Sequence, residues 1–220
     1  DGYIRNADIW IETTNDFSNI GETKTSSNIQ GRFSLTTSLT DYRVQSSGGI
    51  DLDTNNSLEG LILVNHKIDE LASSNTSQNF IISPLTTADF FLSESLNKLT
   101  NPISTTINDL LGLDKNFNVN TVDHIASLND GFMYAEAYER ANQLTSLSLS
   151  FTRLVNNLST SNINSSEIFQ VILDRMVAIY QSSQNEVSIE SPAFIEALVD
   201  DVDLKFTLSL ENEIKTKVKN

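Results

Sequence analysis

The sequence contains no cysteine, only three prolines, two histidines and one tryptophan. The absence of cysteine excludes disulfide bonds, thiolate nucleophiles, iron–sulfur clusters and cysteine-type zinc sites. No apolar run approaches the roughly 20 residues that a membrane-spanning helix needs, so membrane insertion is not expected. There is no signal peptide and no initiator methionine, and a start at Asp1 is typical of a module from a longer chain.

Basic residues are also scarce, with 14 Lys and Arg against 29 Asp and Glu and a net charge of −15. This balance argues against nucleic-acid binding and against binding to an anionic membrane surface. It suits hard cations such as Ca²⁺, which prefer oxygen ligands. Apolar residues make up 39% of the 220 residues, enough for a sizeable core. Asn, Ser and Thr together supply about a third of the chain, which favours an extracellular surface.

The first part of the chain, residues 1–82, has the pattern of short β-strands. Apolar residues alternate with polar ones or form short continuous runs, and turns rich in Gly and Asn separate them. These segments centre on Ile9 and Ile11, Phe33 and Leu35, Tyr42 and Val44, Leu61–Val64 and Phe80–Ile82. Their spacing predicts a small antiparallel β-sandwich.

The second part, residues 83–220, has the pattern of helices. Ser83-Pro84 and Ser191-Pro192 are helix starts, Asn101-Pro102 repeats the signal, and Gly112 is a predicted stop. Apolar residues at three- and four-residue steps predict further helices at 121–128, at 132–158 and around 168–179. The piece from residue 204 onward fits a strand or a helix, and helix is favoured. The predicted fold class is α+β: an N-terminal antiparallel β-sandwich lobe (1–82) followed by a C-terminal α-helical bundle (83–220) packed against it.

One loop has the chemistry of a metal site. Asp51, Asp53 and Asn55 place oxygen ligands at alternate positions, and Glu59 adds a carboxylate further on, which predicts a Ca²⁺ site formed by these four residues. The match to the EF-hand pattern is partial, because the turn glycine is missing and the glutamate comes too early. The alternative is a polar turn between two strands. A second acidic loop, for which a polar hairpin is the stronger interpretation, contains Glu12, Asn15, Asp16, Asn19 and Glu22.

Catalytic motifs are absent. The sequence has no nucleophile elbow, zinc-protease motif, P-loop or dinucleotide-binding motif. His66 and His124 are each expected at a surface or a helix end, and Glu136 and Glu139 on a solvated helix face beside Arg140. The chain is therefore predicted not to be an enzyme.

Several short motifs follow one another in a recognisable order. Asp1-Gly2-Tyr3-Ile4 and Ala7-Asp8-Ile9 precede an acidic loop, Gly21-Glu22-Thr23 and Gly31-Arg32-Phe33. Ser47 to Asp51, Ile82 to Thr87, Leu111-Gly112-Leu113 and Asn142-Gln143 come next. In order and spacing, over residues 1 to about 158, this resembles the distal non-repeat modules of large, repeat-containing, calcium-dependent (RTX-type) bacterial surface adhesins.

The resemblance implies a function in cell adhesion or biofilm formation, at the bacterial cell surface and extracellular. Such a module scaffolds or presents the ligand-binding domains of the adhesin and is stabilised by calcium. Its partners would be neighbouring adhesin domains and a host, algal or biofilm surface ligand, and the module itself is expected to be a monomer. The alternatives are a direct peptide- or glycan-binding module, for which Trp10, Tyr42 and Tyr3 are the first aromatics to examine, and a non-catalytic domain of a surface lipoprotein or hydrolase.

Overall fold

The computed structural model describes residues 3–12, 23–37, 39, 42–66, 81–100, 103–159 and 162–208. The described strands all precede the described helices. The strands are β1 (Ile4–Arg5), β2 (Asp8–Glu12), β3 (Lys24–Ser26), β4 (Arg43–Ser47), β5 (Ile50–Asp51) and β6 (Ile62–His66). The helices are α1 (Pro84–Asn97), α2 (Ile107–Leu111), α3 (Phe132–Leu158), α4 (Ser165–Ser183) and α5 (Pro192–Phe206). The chain is therefore mixed α and β, as predicted, with strands first and helices second.

The strands form two antiparallel sheets. The larger sheet has the order β3-β2-β4-β6, and β1 pairs with β5 in a two-stranded sheet. The alternation at Ile9 and Ile11 places both side chains on one face, where Val44 lies opposite Ile11. On the other face Trp10 lies opposite Gln45, which in turn lies opposite Val64. Both faces of β2 are largely buried, and only Asp8 is exposed along it.

Helices α1 and α4 cover the open edge of β6 with hydroxyl groups. The Val64 N–H donates to Thr87 Oγ1 at 2.8 Å, and Thr86 Oγ1 donates to the Val64 carbonyl at 2.7 Å. The Ile62 N–H donates to Ser165 Oγ at 2.7 Å. An edge strand normally leaves such backbone groups unpaired, so here the first turns of two helices take the place of a further strand.

Local signals in the sequence mark several helix ends correctly. Ser83 is the N-cap of α1 and forms a reciprocal capping box with Thr86. Ser191 caps α5, with Pro192 at its first position. Gly112 ends α2 in the left-handed conformation, at φ 70°. Helix α3 has the predicted bounds, and the helix prediction for the chain near Leu204 is confirmed as far as Phe206.

Three predicted elements are wrong in the described residues. Phe33 and Leu35 lie in irregular chain, although both still pack against a small cluster around Ile9 and Val44. Residues 81 and 82 form no strand. The segment at 121–128 forms turns: Asp123 Oδ1 accepts the backbone N–H groups of residues 125 and 126 at 3.1 and 3.0 Å as an N-cap does, but the chain continues with turns instead of an α-helix.

The start of α2 also differs from the prediction. Asn101-Pro102 lies outside the described residues, and the helix begins at Ile107 with Thr106 as its N-cap. Thr106 and Asp109 form a capping box in which each side chain bonds the other residue's backbone N–H. A complete local cap therefore sets the boundary five residues after the predicted one.

One hydrophobic core connects the larger sheet to the helices. It contains the stretch from Leu58 through Leu61 to Val64 together with buried residues from all five helices. Phe91 of α1 stacks on Phe169 of α4 with ring centroids 6.4 Å apart. The guanidinium carbon of Arg43 lies 5.1 Å from the centre of the Phe90 ring, which adds a cation–π contact between β4 and α1.

Candidate functional site

Asp51 organises the loop that was predicted to bind calcium. Its side chain is fully buried at the end of β5, and its Oδ1 accepts the N–H groups of Asp53 and Thr54 at 2.7 and 3.2 Å. Its backbone carbonyl accepts the Asn55 N–H at 2.9 Å. Asn55 adopts a left-handed conformation with φ 57°, which asparagine tolerates better than most residues. The carboxylate of Asp51 therefore holds the turn through backbone donors.

The other three predicted ligands face different partners. Asp53 Oδ2 accepts the Tyr138 hydroxyl at 3.2 Å, and Asn55 Oδ1 accepts Arg5 Nη2 at 2.8 Å. Glu59 is exposed. In the part of the chain that the structure describes, no three Asp, Glu or His side chains form a group that could hold a metal ion. The four residues share a loop but do not converge in this arrangement, and the calcium site stays a prediction.

This loop joins the N-terminal strands to helix α3. Tyr138 reaches Asp53 from α3, and the Leu52 N–H donates to the Tyr3 carbonyl at 2.9 Å. The Tyr3 hydroxyl donates to Asp123 Oδ2 at 2.9 Å. Partial burial raises the pKa of Tyr3 to about 12, and the hydrogen bond to Asp123 and its negative charge act in the same direction.

The three aromatics selected from the sequence have different environments. Trp10 is 2% exposed, so its ring belongs to the core of the sheet. Tyr42 is half-buried against the small cluster around Ile9. Tyr3 is 37% exposed but its hydroxyl is bound to Asp123. Trp10 is therefore explained by its packing in the sheet. In the part of the chain that the structure describes, no groove is lined by all three rings.

The surface position predicted for His124 is wrong. The residue is 4% exposed, and its ring centroid lies 6.5 Å from that of Tyr138. Burial lowers its pKa, and the nearby Asp123 carboxylate partly opposes that shift. The side chain of His66 lies outside the described residues, as do residues 13–22 of the second acidic loop. Glu12, which precedes them, is buried at the end of β2.

A groove lies between α3 and the start of α5. Its volume is about 630 Å³. The polar side chains that line it are carboxylates, amides and hydroxyls and come largely from one stripe of α3, at Glu139, Asn142, Gln143, Ser146 and Ser150, with Glu190 contributed by the segment before α5. Its apolar part is aliphatic and consists of Leu147, Ile189 and Ile195. Tyr138 is the first lining residue along α3, and its bond to Asp53 connects the groove to the Asp51–Glu59 loop.

The groove was not identified from the sequence. The sequence predicts Glu139 on a solvated face, and this is confirmed: the residue is exposed, and its Oε1 accepts a hydrogen bond from Gln143 Nε2 at 3.3 Å. The steps of three and four residues from Glu139 to Ser150 were a visible signal of a polar stripe. Ile189 and Ile195 lie about 50 residues later, and only the packing of α5 beside α3 brings them to this stripe.

Comparison of the chain with family models, with curated proteins and with solved structures gave no match. None of the helices in the described ranges combines the length and the hydrophobicity that a bilayer crossing requires.

Proposed function

We propose that the chain is a non-catalytic, extracellular adhesion module that scaffolds or presents ligand-binding domains of a large bacterial surface adhesin. The observation that carries the proposal is the continuous core that joins β6 to all five helices. A module that positions other domains must transmit force without a hinge, and shared burial of strands and helices favours that behaviour. The acidic, Asn- and Ser-rich composition and the order of the N-terminal motifs support the same function.

Within this proposal the fold is a small β-sandwich beside a helical bundle. The support is that Ile4 of the two-stranded sheet packs against the clusters on both sides, including the one formed by Ala7, Ile9 and Val44. Helices α1, α3 and α5 each pack against α4, which is the arrangement expected of a bundle with a central helix.

Surface location and attachment test the proposal directly. In the native organism, antibodies against the chain should label intact cells, and deletion of its coding segment should reduce attachment in a static biofilm assay. Labelling that needs permeabilised cells would contradict the proposal. So would unchanged attachment in the deletion strain.

Calcium binding at the Asp51–Glu59 loop is the second part of the proposal. Asn55 Oδ1 is bonded to Arg5 and Asp53 Oδ2 to Tyr138, so convergence of the two side chains on one ion would rearrange the loop and the site would form together with the ion. An ion that binds only the folded state adds about 2.7 kcal/mol at a hundredfold excess over Kd, which raises the Tm of a chain of this size by several degrees.

The test is a thermal melt of metal-stripped protein with Ca²⁺, with Mg²⁺ and without either ion. We expect a rise in Tm that is specific for Ca²⁺, is lost in Asp53→Asn and Glu59→Gln, and is retained in Asp130→Asn, an exposed aspartate elsewhere. No rise in the unaltered protein would remove calcium from the proposal and leave the scaffold function to the attachment assay.

A direct-binding module is the second candidate function, and the groove between α3 and α5 is the observation that favours it. Such a module holds its ligand itself, with a peptide or a glycan as the two candidate classes. Ligand binding by the isolated chain separates this candidate from a pure scaffold.

A further inference from the structure

The polar lining of the groove is rich in hydrogen-bond acceptors. Asn142 Oδ1 is buried and has no hydrogen-bond partner, and no described bond holds the amide in place. Glu139 uses one carboxylate oxygen toward Gln143, and Glu190 is exposed at the opposite side. A buried acceptor without a partner costs free energy, so rotation of the Asn142 amide that turns its oxygen to the groove and to a donor on the ligand is favourable.

The charge of the groove favours a cation. Among the described residues that line it there are two carboxylates and no Lys or Arg. The guanidinium of Arg140, which follows Glu139 in α3, donates from Nε to the Leu111 carbonyl at 3.1 Å and from Nη1 to Gln143 Oε1 at 3.0 Å. Ammonium and guanidinium groups form strong charge-assisted hydrogen bonds with carboxylates, whereas phosphate, sulfate and uronate groups would be repelled.

The apolar part of the groove sets a second requirement. Leu147, Ile189 and Ile195 offer aliphatic surface, which buries an aliphatic side chain well. A sugar ring would prefer the face of an exposed aromatic side chain. Tyr138 is the single aromatic among the described residues that line the groove, and its hydroxyl donates to Asp53. The lining therefore fits a ligand with positive charges on both sides of an aliphatic group better than it fits an oligosaccharide.

We propose that the groove between α3 and the start of α5 binds a peptide segment of a partner protein in which Lys or Arg residues flank aliphatic side chains. Glu139 and Glu190 receive the cationic groups, Asn142 accepts a hydrogen bond, and the aliphatic side chain lies on Leu147 and Ile195. This inference rests on the direct-binding candidate and needs neither calcium nor a surface location.

Nuclear magnetic resonance of the ¹⁵N-labelled chain at physiological ionic strength tests the proposal. The probes are a short acetylated peptide of alternating Lys and Leu, its Glu–Leu and Lys–Ser counterparts, and cellotetraose. We expect saturable shifts with the Lys–Leu peptide alone, confined to residues 138–150 and 189–195. Shifts spread over the acidic surface would show attraction by net charge only and would overturn the proposal.

Two variants with matched charge sharpen the result. Glu190→Lys lies in the groove, and Glu196→Lys makes the same change at an exposed position of α5 outside it. We expect Glu190→Lys to weaken Lys–Leu peptide binding about tenfold, and Glu196→Lys to weaken it less than about twofold. Asn142→Leu should weaken binding without a change in charge. Equal effects of the two lysine variants would contradict a specific site.

The remaining probes distinguish failure of the peptide proposal from failure of the direct-binding candidate on which it rests. Cellotetraose binding at the same residues, without peptide binding, would overturn the peptide proposal and keep the direct-binding candidate as a glycan module. Absence of shifts with every probe would contradict both. Dispersed spectra of the variants confirm that they fold.

Discussion

At the scale of single residues, Tyr3 couples its protonation to folding. Its pKa is raised to about 12 by partial burial and by Asp123, above the ordinary value of about 10 in an unfolded chain. Between these values the unfolded chain releases the proton while the folded chain keeps it. The stabilisation from Tyr3 is therefore complete below pH of about 10 and is lost as the pH rises to about 12.

Titration of the tyrosine rings, followed by ¹³C resonances, checks this pKa. We expect Tyr3 to titrate near pH 12 in the unaltered chain and lower in Asp123→Asn, which keeps the backbone hydrogen bonds of the turn but removes the charge. The slope of stability between about pH 10 and 12 should be shallower in Tyr3→Phe. An ordinary midpoint for Tyr3, near 10, would show that Asp123 has no effect on it.

Gln45 is a second informative residue. Its side chain is fully buried in β4, and neither its oxygen nor its nitrogen has a hydrogen-bond partner; the indole nitrogen of the opposite Trp10 also lacks one. A buried amide without partners costs stability, so Gln45→Met should leave the free energy of unfolding unchanged or raise it by up to about 2 kcal/mol.

Urea unfolding measures the effect, with Gln170→Met as the matched control. Gln170 Nε2 donates to Ser95 Oγ at 2.7 Å and to Asp174 Oδ1 at 2.9 Å, so the same substitution there should cost about 1 kcal/mol. A loss above about 1 kcal/mol in Gln45→Met would mean that ordered water satisfies the Gln45 amide.

At the scale of elements, the junction of β6 with α1 depends on side-chain hydroxyls. Thr87→Val keeps the shape of the side chain but removes the acceptor of the buried Val64 N–H. We expect a loss of about 1–3 kcal/mol in the free energy of unfolding, because that donor is left unsatisfied. Thr36→Val, at an exposed position outside every described element, should change the free energy by less than about 0.5 kcal/mol. Similar effects of both variants on urea unfolding would argue that the hydroxyl does not stabilise the edge.

At the scale of the whole molecule, the shared core predicts a single cooperative unfolding transition. Trp10 is the only tryptophan and is buried in the sheet, so its fluorescence reports on the strands. Far-ultraviolet circular dichroism reports mainly on the helices. We expect the two signals to give the same urea midpoint, because β6 and the helices lose their common core together. Separate midpoints would show that the strands and the helices unfold as independent units.

The sequence by itself determined the parts of the molecule that depend on neighbours along the chain. Ser83-Pro84, Ser191-Pro192 and Gly112 mark helix ends because capping is a local interaction, and the apolar steps of α3 set its full length. The alternation around Ile9 and Ile11 was enough to assign β2. In the candidate calcium loop, the sequence predicted a Ca²⁺ site with a polar turn as the alternative; a turn held by Asp51 is observed, and the Ca²⁺ site stays a prediction.

Only the tertiary structure decided which distant groups meet. Asp123 can cap a helix or a turn, and the structure has a turn there, with His124 buried and its ring 6.5 Å from that of Tyr138 in α3. Asp53 and Asn55 are only two residues apart in the sequence, yet their side chains bond different partners, Tyr138 and Arg5. The groove exists because α5 lies against α3, and the strand order β3-β2-β4-β6 depends on long-range pairing. Such contacts depend on the shape of the packed core, which no local pattern of residues encodes.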